Sequence, residues 1–185
     1  MARTEDQRRL PLLEQLASQE EPLVTRWVEL IFGTYPAETQ KVWKANRDLF
    51  ENPVGQAIRA TAAEVFSLLL SWEDADALCA ALDRLVKIRA VQDFAPSEAL
   101  SFVFLLKKAL REALADELSA QGRLAELLAF ETRVDNMALL AFDVYFRDRK
   151  QIYELRVKEI KLAHRNIMRK AGLVLDVAAE EAVKA

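Results

Sequence analysis

The single histidine and the single cysteine of this chain limit the chemistry that its side chains could perform. His164 is the only imidazole and Cys79 the only thiol in 185 residues. A Ser–His or Cys–His nucleophile would have to use His164, and a di-iron bundle would need two Glu-x-x-His pairs. Lys161 stands three residues before His164, so not one such pair exists. The sequence therefore excludes any site that needs two histidines.

Other catalytic patterns are equally weak. Cys79 lies in the apolar run 78–82 and is expected to be a small buried hydrophobe. One cysteine excludes an internal disulfide and fits a reducing compartment. The two nearest glycines, Gly33 and Gly55, are 22 residues apart, so the chain lacks a glycine-rich phosphate loop. Adjacent carboxylates such as Glu20 and Glu21 are typical of solvated helix faces. We expect a protein that is not an enzyme and binds no cofactor or metal.

The composition indicates one domain built from long helices. Hydrophobic residues make up 52 % and charged residues 30 % of the chain, which allows a sizeable core. Four glycines and five prolines leave few turn-formers, and no segment alternates like a strand. The N-terminus has charges of both signs and no apolar stretch approaches the roughly 20 residues of a membrane span. We therefore expect an all-α, cytoplasmic protein with no membrane partner.

Apolar spacing and helix-end residues predict the order of the helices. A first helix ends near Gln19, a second runs from about Pro22 to Gly33, a third opens at Pro36, a loop covers 46–52, a fourth runs from Pro53 to Ser71, and two more begin near Asp74 and at Pro96. Asn52 is predicted to cap the fourth helix, and Asp93 the one at Pro96. The run 99–106, apolar almost all round, predicts a central buried helix.

The segment 123–170 contains no glycine or proline and predicts one very long helix. At 1.5 Å per residue it would span about 72 Å, whereas a compact domain of this size is roughly 32 Å across. We expect a helical domain over 1–120, a long helix over 121–171 that packs on the domain and then dimerises, and a disordered tail over 172–185. A helix that bends back on the domain is the alternative.

Apolar residues in the long helix follow a heptad-like spacing. The predicted dimer seam contains Phe142, Phe146, Tyr153, Val157, Ile160, His164 and Ile167. The simpler alternative is an amphipathic helix that packs on its own domain; the length of the helix favours a second copy of the chain. At a seam position His164 is expected to set the register between helices, with a solvent-facing position or a ligand or pH-switch role as alternatives.

The C-terminal half of this helix is basic. Between Arg147 and Lys170 there are nine lysines or arginines and three acids, although the whole chain has a net charge of −3 and an isoelectric point near 5.4. A basic helix can bind nucleic acid, an acidic membrane or an acidic protein surface. The overall acidity argues against a nucleic-acid partner, and we expect a solvated face or pairing with the acidic body of another copy.

Four separated motifs together resemble a known family. They are the run 27–31 followed by Thr34-Tyr35-Pro36, the tetrad Asn52-Pro53-Val54-Gly55, the run 88–99 (IRAVQDFAPSEA) and the run 102–107 (FVFLLK). Over roughly residues 12–118 the chain resembles the N-terminal domain of the RsbRD-type RsbT co-antagonists, which are stress-signalling proteins of the bacterial stressosome. The run 88–99 is the most specific part.

The resemblance implies a sensory, dimerising domain with a globin-like, haem-free helical fold. In such proteins a long helix normally leads to a C-terminal STAS domain. Only about 15 residues follow the long helix in this chain, so it is expected either to act in trans on a STAS protein or kinase or to serve an unrelated complex. A globin places its haem ligand before two further helices of some 50 residues, whereas 21 residues follow His164. His164 therefore does not fit the proximal position, and no haem is expected.

The leading function is a non-enzymatic regulatory module that acts as a homodimer through protein contacts. Two alternatives remain open at this point. One is a small accessory subunit that docks on a cytoplasmic enzyme assembly. The other is a domain that binds a hydrophobic ligand between its Trp- and Phe-bearing helices.

Overall fold

A computed structural model describes residues 11–45, 52–90 and 94–171. Within these ranges the chain is all-α, which confirms the predicted fold class. The helices are α1 (Leu12–Ser18), α2 (Glu20–Phe32), α3 (Ala37–Ala45), α4 (Pro53–Ser71), α5 (Ala75–Ala90), α6 (Pro96–Leu100), α7 (Phe102–Ala120) and α8 (Leu124–Lys170). The loop predicted over 46–52 falls largely outside the described residues, as do Asp93 and the tail 172–185.

The chain divides into two compact units, one up to Tyr145 and one from Phe146 onward. In the first unit α2 packs against both α4 and α7, and α4 packs against α5. Their apolar stripes supply fully buried side chains such as Trp27, Phe66 and Phe102. The Trp27 indole also donates a 2.7 Å hydrogen bond to the Phe102 carbonyl oxygen, so a polar group is satisfied inside the core.

Local signals explain where several helices begin and end. The Asn52 side chain accepts a 2.9 Å hydrogen bond from the Gly55 N–H, and Pro53 is the first residue of α4. Asp74 accepts a 2.8 Å bond from the Ala77 N–H at the start of α5. Gly122 has a φ of +70°, a conformation that glycine adopts without strain. Asn52 therefore stands at the N-terminal cap position of α4 and makes a capping hydrogen bond there.

The run 99–106, predicted to be part of one central buried helix, differs from that prediction in two respects. It is interrupted at Ser101, where α6 ends and α7 begins. Phe104 is 56 % exposed, whereas Phe102, Val103 and Leu106 are buried. Because a helix turns 100° per residue, Phe104 lies on the side of α7 opposite the core. Cys79 is half-buried rather than buried as predicted.

The helix α8 provides one wall of the core over its first half. Its buried residues in the first unit have helical spacing and end with Ala141, Val144 and Tyr145. In the second unit every described residue from Arg149 to Ala171 is exposed. Among the described residues, no helix is both long and apolar enough to cross a membrane.

Candidate functional site

Motifs that are far apart in the sequence meet at Arg89 in the first unit. Arg89 is fully buried near the end of α5. Its Nε donates to the Ala99 carbonyl oxygen at 2.9 Å, and its Nη2 donates to the Glu98 carbonyl oxygen at 2.7 Å. Nη1 donates to the Thr34 hydroxyl at 3.2 Å, and Nη2 lies 3.4 Å from the Ser101 hydroxyl. One guanidinium thus links the ends of α2 and α5 to α6.

Two aromatic rings complete the surroundings of this guanidinium. Arg89 Cζ lies 4.8 Å from the ring centre of Phe94 and 5.2 Å from that of Tyr35. These two rings meet edge to face with their centres 5.2 Å apart. Burial lowers the pKa of Arg89 from its usual value, although the nearby Tyr35 and Glu98 oppose this shift. Burial also raises the pKa of the Tyr35 phenol, and the Arg89 charge opposes that shift.

A second part of the same region connects α3 to α4. The Trp43 ring lies 4.6 Å from the Tyr35 ring and 5.3 Å from the Phe32 ring, measured between centres. Asn52 Nδ2 donates to the Trp43 carbonyl oxygen at 3.3 Å, while its Oδ1 caps α4 through Gly55. We call Thr34, Tyr35, Trp43, Asn52, Arg89 and Phe94 the arginine cluster.

The arginine cluster is suited to holding helices together rather than to reacting. The guanidinium donates to neutral carbonyl and hydroxyl oxygens, and aromatic rings cover it. Three of the motifs that suggested a family supply its members: Thr34 and Tyr35, Asn52, and the run 88–99. The predicted cap Asp93 lies outside the described residues; at the start of α6, Glu98 accepts a 3.0 Å hydrogen bond from the Ala95 N–H.

A buried carboxylate between α7 and α8 was not predicted from the sequence. Glu131 is 3 % exposed and accepts two hydrogen bonds of 2.6 Å from Arg111. Lys107 lies 3.4 Å from Glu131 and also binds Asp135 at 2.9 Å. Burial alone would raise the pKa of Glu131, but Arg111 and Lys107 hold it below its usual value. The matching four-residue spacings, 107 to 111 and 131 to 135, were the available signal.

The end of α4 carries a further unusual feature in the first unit. Trp72 has a φ of +54°, a left-handed conformation that is rare for large side chains. Arg133 on α8 donates to the Leu70 and Leu69 carbonyl oxygens at 2.7 and 3.2 Å, which satisfies the end of α4. Beside Trp72 is a cavity of about 140 Å³, lined also by Leu68, Leu78 and Leu140 and by the acids Glu73 and Asp74.

The predicted seam residues are solvent-exposed in each unit. Phe142, in the first unit, is 53 % exposed. In the second unit the exposed fractions are 61 % for Phe146, 59 % for Tyr153, 46 % for Val157, 57 % for Ile160 and 63 % for Ile167. His164 is exposed on the same helix. The second unit therefore presents large apolar side chains to solvent, and their pairing with a second copy stays a prediction.

The described residues were compared with the side-chain groups that hold metal ions in proteins. No group of three or more histidine, cysteine, aspartate or glutamate side chains lies close enough to hold an ion. The described residues form a packed helical core, a buried arginine and a helix segment with exposed apolar side chains. These features define an all-α domain with a buried arginine at the junction of several helices.

Comparison with known proteins agrees with that class. The family described as the RsbT co-antagonist protein rsbRD N-terminal domain matches residues 21–159, about three quarters of the chain. The chain belongs to this family, which is one of stressosome-related signalling domains. The match extends into α8, beyond the residues 12–118 that carry the resemblance in the sequence. No curated protein and no solved structure matches, so the globin-like arrangement stays a prediction.

Proposed function

We propose that this protein is a regulatory module that acts without catalysis, through protein contacts, and that it works as a homodimer joined by the second unit. The family match supports a signalling role. The observation that carries the self-association is the row of exposed apolar side chains at Tyr153, Val157, Ile160 and Ile167. Leaving each of them in water forgoes roughly 1.5–3 kcal/mol per large side chain.

Helical geometry supports one continuous contact strip in the second unit. Steps of four and three residues keep Tyr153, Val157, Ile160, His164 and Ile167 within one narrow face of an α-helix. A second copy presents the same strip, and symmetric dimers are the commonest oligomers. A strip of this length is short, so the dimer is expected to form in the micromolar range rather than at nanomolar concentrations.

The output is expected to pass to a partner protein in trans. The resemblance of the chain implies a STAS protein or a kinase as that partner. The arginine cluster supports this role as a rigid connection between helices, since one buried side chain fixes the ends of α2, α5 and α6. A pull-down that recovers a STAS protein or a kinase supports the signalling role; one that recovers subunits of a metabolic enzyme supports the accessory-subunit alternative.

The self-association is tested by sedimentation at tens of micromolar. The double variant Ile160→Glu/Ile167→Glu places like charges in the seam and is expected to be a monomer that keeps its helical circular dichroism. Leu155→Glu/Leu162→Glu is the matched control, because these exposed leucines have the same seven-residue spacing on the opposite side of the helix. A wild-type protein that is already monomeric, or equal effects of the two double variants, would contradict the proposed dimer.

A further inference from the structure

The seam of the second unit contains one position whose chemistry distinguishes the two possible directions of pairing. With Tyr153, Ile160 and Ile167 at d positions of the heptad, Val157 and His164 occupy a positions, and so does Lys150. Lys150, like the rest of this segment, is exposed in the single chain. A pairing that includes Lys150 must therefore accommodate a lysine at a core position.

A parallel pair stacks each a residue on its own copy. Lys150 would face the partner's Lys150, and His164 would face the partner's His164. At the flanking positions, Arg156 would lie beside the partner's Lys161, which repels, and Arg149 beside the partner's Glu154, which attracts. In a parallel pair the two Lys150 side chains therefore repel each other at a core position. The attractive and the repulsive flanking pairs offset each other.

An antiparallel pair in which Val157 faces the partner's Ile160 separates Lys150 from the partner's Lys150, and His164 from the partner's His164. Lys150 then lies against the partner's Ile167, where its long stem can pack while its ammonium reaches water. Tyr153 lies opposite the partner's His164, a pair that can form a hydrogen bond.

The flanks of this antiparallel pair also bring opposite charges together. Glu154 lies beside the partner's Lys161, and the two-fold symmetry makes this pair twice. The like-charged contact that remains is Arg149 with the partner's Lys170, near the ends of the overlap, where water screens it.

Other antiparallel registers are worse. A shift by one heptad toward the N-terminus places Glu154 beside the partner's Glu154 and Arg156 beside the partner's Arg156. A shift in the other direction places Lys161 beside the partner's Lys161 and shortens the overlap. Like charges at flanking positions destabilise such pairs, so charge selects one register.

We propose that two copies of this chain pair through residues 150–167 in antiparallel orientation, with Val157 facing the partner's Ile160 and Glu154 pairing with the partner's Lys161. The proposal rests on the proposed homodimer and adds its direction and register.

Cysteine cross-linking tests the direction in the full-length chain. In a Cys79→Ala background, Lys150→Cys and Ile167→Cys chains are oxidised separately and as a mixture. We expect the mixture to give a disulfide-linked heterodimer and each variant alone to give almost none, since identical positions lie about 25 Å apart in this register. Efficient linking of each variant to itself would show a parallel pair and overturn the proposal.

The remaining outcomes separate this proposal from the proposed dimer. If sedimentation shows a wild-type monomer, the homodimer itself fails. If the wild type is a dimer but neither the mixture nor the separate variants cross-link, the homodimer stands and the proposed register is wrong.

A charge reversal gives an independent test. Lys161→Glu turns both attractive Glu154–Lys161 pairs into repulsive ones, so the antiparallel dimer should weaken roughly fivefold relative to the control. The same change would strengthen a parallel dimer, because the partner's Arg156 would then meet a carboxylate. Lys158→Glu is the matched control, with an equal change in charge away from the seam. A dimer that is tighter in Lys161→Glu than in Lys158→Glu would overturn the proposal.

Discussion

Arg89 and Glu98 are joined through the glutamate backbone rather than through its carboxylate. Arg89 Nη2 donates to the Glu98 carbonyl oxygen at 2.7 Å, whereas the Glu98 carboxylate accepts the Ala95 N–H at 3.0 Å. The arginine thus attaches α6 to the end of α5, and the glutamate caps the helix on which it lies. The planar guanidinium directs its donors at several acceptors in one fixed geometry, which the tetrahedral ammonium of a lysine does not reproduce.

Arg89→Lys is therefore expected to lower the free energy of unfolding by about 3 kcal/mol, because buried carbonyl oxygens lose charged donors. Urea unfolding followed by circular dichroism measures this loss. Arg84→Lys is the matched control on the same helix: Arg84 is half exposed and pairs with Glu64 at the surface, so it should cost about 0.5 kcal/mol or less. Similar losses at the two positions would show that the arginine cluster does not stabilise the fold.

The cap of α4 predicts that Gly55→Ala destabilises the wild-type protein but stabilises a variant that lacks the Asn52 side chain. A Cβ added to Gly55 would lie 2.8 Å from Asn52 Cγ, so Gly55→Ala should displace the cap and cost about 1–2 kcal/mol. Asn52→Ala removes the cap at a cost of about 1 kcal/mol. In the Asn52→Ala background, Gly55→Ala should instead stabilise by roughly 0.5 kcal/mol, since alanine favours helices over glycine. A double-mutant cycle from denaturation midpoints measures this, and strictly additive changes would contradict it.

Helix ends such as Asn52–Pro53 could be predicted because their signals are local in the chain. The arginine cluster could not, although its motifs stand out in the sequence, because Arg89 meets Thr34 across 55 residues. A sequence shows an arginine near a helix end but not the acceptors that allow its burial. The same limit applies to Phe104: its apolar run predicts burial, whereas the fold covers only one side of α7.

The buried Glu131 predicts how stability changes in acid. Burial alone would raise its pKa, but Arg111 and Lys107 hold it below its usual 4.5. A carboxyl whose pKa is lowered by folding stabilises the fold above its unfolded pKa, and that stabilisation is lost as the pH falls through the lower folded value. Glu131→Gln should therefore cost about 1 kcal/mol at neutral pH and progressively less below about pH 4.5.

Unfolding of wild type and Glu131→Gln between pH 3 and pH 7 measures this difference. Asp116→Asn, which neutralises an exposed acid on α7, controls for the general effect of charge on acid stability. A difference between wild type and Glu131→Gln that is constant with pH, or that grows in acid, would show that Arg111 and Lys107 do not stabilise the ionised carboxylate.

The burial pattern of α8 predicts that the two units contribute differently to stability and to assembly. In the described part of the chain, the last buried hydrophobic residue is Tyr145. A chain that ends at Arg149 keeps that core and loses the seam residues from Tyr153 onward. We expect its unfolding free energy at low concentration to lie within about 1 kcal/mol of the full-length value, and its midpoint of thermal unfolding not to depend on protein concentration.

The full-length chain should behave differently, because a ligand or partner that binds the folded state raises its apparent stability with concentration. Its thermal midpoint is expected to rise between about 1 and 100 micromolar, and Ile160→Glu/Ile167→Glu should abolish the rise while leaving the low-concentration value unchanged. Scanning calorimetry over this range measures all three proteins. If the shortened chain fails to fold at any concentration, residues beyond Arg149 stabilise the first unit, and the separation of the core from the seam is wrong.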